Sequence, residues 1–161
     1  MAGHLGDPDA QRRTRKEKSL SARALGLLAR REHSRAELAR KLSAHATSPA
    51  ELNHLLDDLE AKKLLSDRRF TEVLARSRGE RFGAARVARE LEQHGIDGEL
   101  RRETVARLRE TEFARAREVW RRRFGARPAD ATERARQMRF LLQRGFAGDT
   151  ARRLVGGADE D

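Results

Sequence analysis

Two octapeptides decide the fold: Arg89-Glu90-Leu91-Glu92-Gln93-His94-Gly95-Ile96, and Arg139-Phe140-Leu141-Leu142-Gln143-Arg144-Gly145-Phe146 at an offset of 50 residues. Each reads as the end of an amphipathic helix. A leucine sits on the buried stripe and a polar run follows. Glycine then stands where a left-handed C-cap is wanted, and an apolar residue tucks back under the helix. A weaker copy, Arg40-Lys41-Leu42-Ser43-Ala44-His45-Ala46-Thr47, comes earlier with Ala46 at the cap position. Recurrence at this spacing implies stacked supersecondary units, each unable to bury its own apolar face alone.

Outward from these helices the same alternation continues. Leu20, Ala24, Leu27 and Leu28 share one helical face. Ser34 with Glu37, and Ser48-Pro49 with Glu51, form capping boxes that open the next two helices. The third of these helices presents Leu52, Leu55, Leu56 and Leu59. A second round starts at Ser66-Asp67, with Phe70, Val73, Leu74 and Ser77 on one face. It breaks at Phe82-Gly83, continues through Val87, Ala88 and Leu91, and resumes behind an Asp97 cap with Leu100, Val105 and Leu108. A third round carries Phe113, Ala116, Trp120 and Phe124, then Met138, Leu141 and Leu142, and a short helix from Thr150 to Val155. The expected architecture is all-α: a tandem array of three three-helix repeats, about nine helices, elongated and curved. The repeats span 19–65, 66–110 and 111–156, between a disordered basic tail at 1–18 and an acidic tail at 157–161.

Composition narrows the function. Of 161 residues, 39% are charged and 4% aromatic, which suits many small helical interfaces better than one large core. Cysteine is absent, which excludes disulfides, thiolate metal sites and cysteine catalysis. No apolar run approaches the roughly 20 residues that span a bilayer, and residues 1–7 lack an apolar signal region. The expected compartment is therefore the cytoplasm, with no membrane partner. Five of the 36 cations are Lys and the rest Arg, and the formal net charge is +10. Arginine offers planar bidentate donors to phosphate and carboxylate.

In these stretches the chain resembles the RecX family of bacterial recombination regulators. The first repeat carries Ala24-x-x-Leu27-Leu28-Ala29-Arg30-Arg31-Glu32-His33-Ser34-Arg35-x-Glu37-Leu38-x-x-Lys41-Leu42. The second carries Leu64-Leu65-Ser66-Asp67-Arg68-Arg69-Phe70, then Arg86-x-x-Arg89-Glu90-Leu91 and Gly95-Ile96. The third carries Arg139-Phe140-Leu141-x-x-Arg144-Gly145-Phe146. The match runs in order over roughly residues 20–156. Leu74 and Met138 stand where the family often has an aromatic, and Ala84 where proline is common. The resemblance implies a curved helical array that binds RecA filaments on single-stranded DNA. Members usually inhibit ATP hydrolysis and strand exchange, within homologous recombination, DNA repair and the SOS response. It implies no catalytic residues and no cofactor.

The residues themselves offer little catalytic chemistry. Gly145-Phe146-Ala147-Gly148 lacks the lysine of a phosphate loop. His4, His33, His45, His54 and His94 show no metal spacing. Asp57-Asp58 and Glu90-Glu92 lie among basic neighbours, as surface ion pairs do. The basic signal is stronger. Net charge runs +2, +2, +2 and +4 over 1–18, 19–65, 66–110 and 111–161. The candidate partner-binding set is Arg76, Arg78, Arg81, Arg86, Arg115, Arg117, Arg121, Arg122, Arg139, Arg144, Arg152 and Arg153. Phe70, Phe113, Trp120 and Phe140 fall on or near core faces, so a base-stacking platform is not expected. The expectation is a monomeric, non-enzymatic regulator of the RecA filament, with direct DNA contact through arginine as an added route. Two rivals remain. A helix-turn-helix DNA binder would want base-edge readers such as Asn, which occurs only at Asn53. The other is a protein-interaction scaffold for which nucleic acid is irrelevant.

Overall fold

Serine caps set where the first four helices begin. In the computed structural model, which describes residues 19–157, Ser19 Oγ accepts from the Ala22 N–H, Ser34 from Glu37, Ser48 from Glu51 and Ser66 from Arg69, each at 3.1 Å. Asp130 does the same for the Glu133 N–H at 2.8 Å. Each of these bonds satisfies an amide that a helix start leaves without an intrahelical partner. The helices are α1 (Leu20–Arg30), α2 (Arg35–Leu42), α3 (Pro49–Ala61), α4 (Asp67–Gly79), α5 (Ala84–Gln93), α6 (Gly98–Glu110), α7 (Glu112–Arg123), α8 (Ala131–Gln143) and α9 (Gly148–Gly156). No strand occurs among the described residues. The expected basic tail at 1–18 and the acidic residues 158–161 lie outside the described residues.

The helix ends follow the octapeptide logic at two of the three copies. Gly95 (φ 74°) and Gly145 (φ 83°) are left-handed. Behind them the Ile96 N–H donates to the Leu91 carbonyl at 2.9 Å and the Phe146 N–H to the Leu141 carbonyl at 3.2 Å. Both apolar residues are buried. The first copy differs. α2 tightens into a 3-10 turn at Ser43–His45, and Ala46 is extended (φ −83°, ψ 145°). An alanine Cβ disfavours the left-handed region, so that chain leaves the helix by another route. Two residues expected inward also point out: Val73 is 53% exposed and Leu142 45%. Leu74, one residue on, packs inward in place of Val73, and Leu142 lies about 100° round the helix from the buried Leu141. Asp97 sits at the N-cap of α6, but its side chain makes no capping bond.

The described residues divide into two compact units, one ending at Leu65 and the other beginning at Ser66. In the first, α1–α3 enclose Ala24, Leu38, Leu42, Leu52, Leu56, Leu59 and Leu65. The second holds two clusters. One forms around Phe70, Val87, Leu91 and Ile96, the other around Ala116, Leu141, Phe146 and Ala151.

Within the second unit the two three-helix sets are locked through α7. The Gly83 N–H donates to the Arg144 carbonyl at 2.8 Å. A Cβ on Gly83 would fall 2.1 Å from the Gly145 oxygen, so only glycine permits this approach. Glu112, 6% exposed, accepts from the Ala84 N–H at 2.8 Å through Oε1, and from the Ala147 N–H at 3.2 Å through Oε2. The Thr150 hydroxyl approaches the same Oε2 at 3.5 Å. One carboxylate thereby caps the starts of both α5 and α9, where it also favours both helix dipoles. One turn along, Arg115 Nη1 donates to the carbonyls of Gly79 and Phe82, each at 2.7 Å, and Nη2 to that of Leu108 at 2.6 Å. These bonds satisfy the carbonyl ends of α4 and α6. Burial pulls the Arg115 guanidinium below its ordinary pKa, and nearby Glu112 opposes that shift.

Candidate partner-binding groove

The lock holds a groove open on the second unit. The α4–α5 loop supplies Arg81 and Phe82, α5 supplies Arg86, α7 supplies Val119, Arg122 and Arg123, and α8 with its end supplies Phe140 and Arg144. The groove encloses about 740 Å³. Half-buried Phe82, Val119 and Phe140 form an apolar floor. Guanidinium groups cover the rings. Arg86 lies 3.9 Å from the Phe82 centroid, and Arg144 lies 4.7 Å from Phe140 and 5.6 Å from Phe82. Arg123 lies 5.9 Å from Phe140, whose ring also meets Phe124 edge-on at 5.2 Å. Such cation–π placement fixes the guanidinium plane while leaving its N–H edge free to meet an anion.

The groove is strongly cationic. Among the described residues, no carboxylate forms an ion pair with Arg81, Arg86, Arg123 or Arg144. Arg122 pairs with Glu118 at 3.1 Å, and Glu80 is the carboxylate on the rim.

Of the twelve arginines expected to bind a partner, the fold brings four together here: Arg81, Arg86, Arg122 and Arg144. Arg115 is occupied in holding carbonyls, and with exposed Arg76 it lines a separate groove of about 490 Å³. Arg78 pairs with Glu90 at 3.1 Å, Arg152 pairs with Asp149, and Arg153 stacks over Phe113 at 4.3 Å. Arg117, Arg121 and Arg139 are exposed and lie outside the groove lining. Sequence reasoning missed Arg123, Phe82 and Val119, and it placed Phe140 with the core alone. A signal did exist. Phe82–Arg86 and Phe140–Arg144 are both spaced i, i+4, which on a helix puts a guanidinium over an aromatic one turn away; Phe140 does so from α8, whereas Phe82 meets Arg86 from the loop before α5.

The first unit carries a different polar cluster. Buried His33 sits with Nδ1 3.0 Å from the Arg31 carbonyl and Nε2 3.2 Å from Lys41 Nζ. Beside it, Glu37 meets Arg31 Nη1 at 3.2 Å and Lys41 Nζ at 3.4 Å. Burial alone would raise the Glu37 pKa, yet the Arg31 hydrogen bonds and the surrounding cations hold it at about 2. Burial also lowers His33 from its ordinary value. Among the described residues, no group of histidines and carboxylates is arranged to hold a metal ion. No helix among them is long and apolar enough to cross a membrane.

Comparison with known proteins places this architecture. The family models described as the first, second and third three-helix domains of RecX match residues 22–59, 66–105 and 110–155. The chain belongs to the RecX family. It is 51% identical over 147 residues to the regulatory protein RecX of Leptothrix cholodnii, covering 91% of this chain and 94% of that protein. It is 50% identical over 141 residues to the regulatory protein RecX of Ralstonia nicotianae, covering 88% and 89%. The crystal structure of RecX from Lactobacillus salivarius shares the fold with a TM-score of 0.68 at 18% identity, covering 86% of this chain and 93% of that one. The family's second and third domains are those joined here by Glu112, Arg115 and the Gly83–Gly145 contact.

Proposed function

We propose that this RecX-family chain is a regulator that binds the RecA nucleoprotein filament on single-stranded DNA and inhibits its ATP hydrolysis and strand exchange. It would act so in homologous recombination and DNA repair, including the SOS response. The observation that carries the reading is the arginine groove, set on the three-helix domains of a family whose relatives are named regulatory proteins. The guanidiniums are held on rings and across a locked joint, so little side-chain freedom remains to be lost on binding. A ligand that prefers one filament state shifts the filament toward that state by its difference in affinity, and no catalytic group is required. The same arginines could reach filament phosphates, which would give a steep salt dependence. The test is RecA's DNA-dependent ATPase and strand exchange with purified protein at micromolar levels. Inhibition that weakens in the double variant R86E/R123E is the expected result. Unchanged RecA activity with the unmodified protein overturns the proposal.

A further inference from the structure

We infer that the groove of the second unit takes an acidic, apolar-containing protein segment, and that a nucleic-acid strand is not its preferred occupant. This deepens the reading above by naming the chemistry of the contact, and it rests on that reading only in taking the groove as a contact face. Three features argue for a protein ligand. The floor is apolar, made of Phe82, Val119 and Phe140, and a run of phosphates leaves such a floor unused. Each ring already carries a guanidinium, Phe82 that of Arg86 at 3.9 Å and Phe140 that of Arg144 at 4.7 Å, which competes with an incoming base for stacking. Among the described residues no carboxylate pairs with the covering guanidiniums, and apart from a 3.4 Å contact of Arg144 Nη1 with the Arg81 carbonyl their donors remain for carboxylates, which arginine receives in bidentate fashion. A segment alternating Asp or Glu with Leu or Phe places carboxylates on Arg86, Arg123 and Arg144 and aliphatic side chains on the floor. The cationic rim over an apolar base is complementary to that pattern and to neither half of it alone.

The experiment uses the full chain and fluorescence anisotropy. The probes are a labelled peptide of alternating Glu and Leu, the same peptide with Ser for Leu, and an oligothymidylate of equal charge. The Glu–Leu peptide is expected to bind at least about tenfold more tightly than either other probe, about 1.4 kcal/mol. Arg86→Glu and Arg123→Glu, both at exposed positions, are each expected to weaken it at least about tenfold. Circular dichroism confirms that each variant is folded. Equal or tighter binding of the oligothymidylate overturns the inference in favour of a phosphate groove. No loss on changing Leu to Ser removes the role of the floor, and no loss in either variant places binding elsewhere. RecA inhibition by a protein that does not bind the Glu–Leu peptide sinks this inference and leaves the filament reading standing. Peptide binding without RecA inhibition sinks the filament reading alone.

Discussion

Replacing Glu112 tests whether one carboxylate holds the second and third domains together. It accepts from two helix-start amides, at 2.8 and 3.2 Å, and stands 3.5 Å from the Thr150 hydroxyl, while 6% exposed. A charge-assisted hydrogen bond contributes about 1.5–3 kcal/mol, and loss of a helix cap costs about 0.5–2 kcal/mol. Removing the side chain also relieves its own desolvation, which offsets part of the loss. Glu112→Ala is therefore expected to cost about 3 kcal/mol. Glu112→Gln keeps one acceptor but turns an NH₂ toward an amide N–H, and is expected to cost about 2 kcal/mol. For a unit of this size the alanine variant should melt about 10–20 °C lower. Trp120 is the chain's sole tryptophan and donates to Gln137 at 2.8 Å within the second unit, so its fluorescence reports unfolding of that unit. Glu110→Ala, at an exposed position on α6, serves as the control. If both Glu112 variants melt with the control, within about 0.5 kcal/mol, the carboxylate does not join the domains and the reasoning fails.

Glycine substitutions should split by environment. Gly83→Ala drives a Cβ to 2.1 Å from the Gly145 carbonyl and is expected to cost more than about 3 kcal/mol, whereas Gly26→Ala meets nothing within 4 Å on α1 and should stabilise by about 0.5–1 kcal/mol; denaturant titration of each measures both. The first unit should lose stability in acid. Glu37, with a folded pKa of about 2 below an ordinary 4.5, contributes stability above pH 4.5 that disappears as pH falls toward 2; half-exposure of Arg31 limits this to about 2 kcal/mol. His33, lowered by burial, adds a loss of the same sign that begins as pH drops below its ordinary 6.5, and melting midpoints across pH 2–7 should trace both losses. Ser34→Ala, at a fully buried cap, should cost about 1–2 kcal/mol and more than Ser48→Ala at an exposed one, as read from thermal melts followed by circular dichroism.

The helices were legible because their signals are local. Ser34, Ser48 and Ser66 lie one residue before the first residue of their helices, and Gly95 and Gly145 mark ends with a positive φ that few other residues adopt. The joint was not legible, because its parts are far apart in sequence. Glu112 reaches Ala84 28 residues back and Ala147 35 residues on, and nothing in the local pattern separates it from the exposed Glu110 two positions earlier. Val73 and Leu142 show the other limit. Periodicity gives a face to within one residue, and neighbouring Leu74 and Leu141 took the inward positions.

The arginines show most clearly why a charge count does not locate a site. A guanidinium on a helix surface has at least three outlets: a carboxylate, a backbone carbonyl or an aromatic face. Arg78 takes the first with Glu90, Arg115 the second with Gly79, Phe82 and Leu108, and Arg86 the third with Phe82. All three would read alike as cations on polar helix faces. An ion pair neutralises the side chain, and carbonyl contacts use up its donors. A ring beneath the guanidinium leaves both its charge and its N–H edge available to a partner. Arginines that retain their capacity to bind are thus those four residues beyond a half-buried phenylalanine, as Arg86 follows Phe82 and Arg144 follows Phe140. Lysine in either place would keep a cation–π attraction but lose the fork, because a compact ammonium presents no plane to stack and no edge for bidentate contact. The scarcity of lysine, five of 36 cations, therefore fits a surface in which the same residue type closes a joint at Arg115 and arms a groove at Arg86 and Arg144.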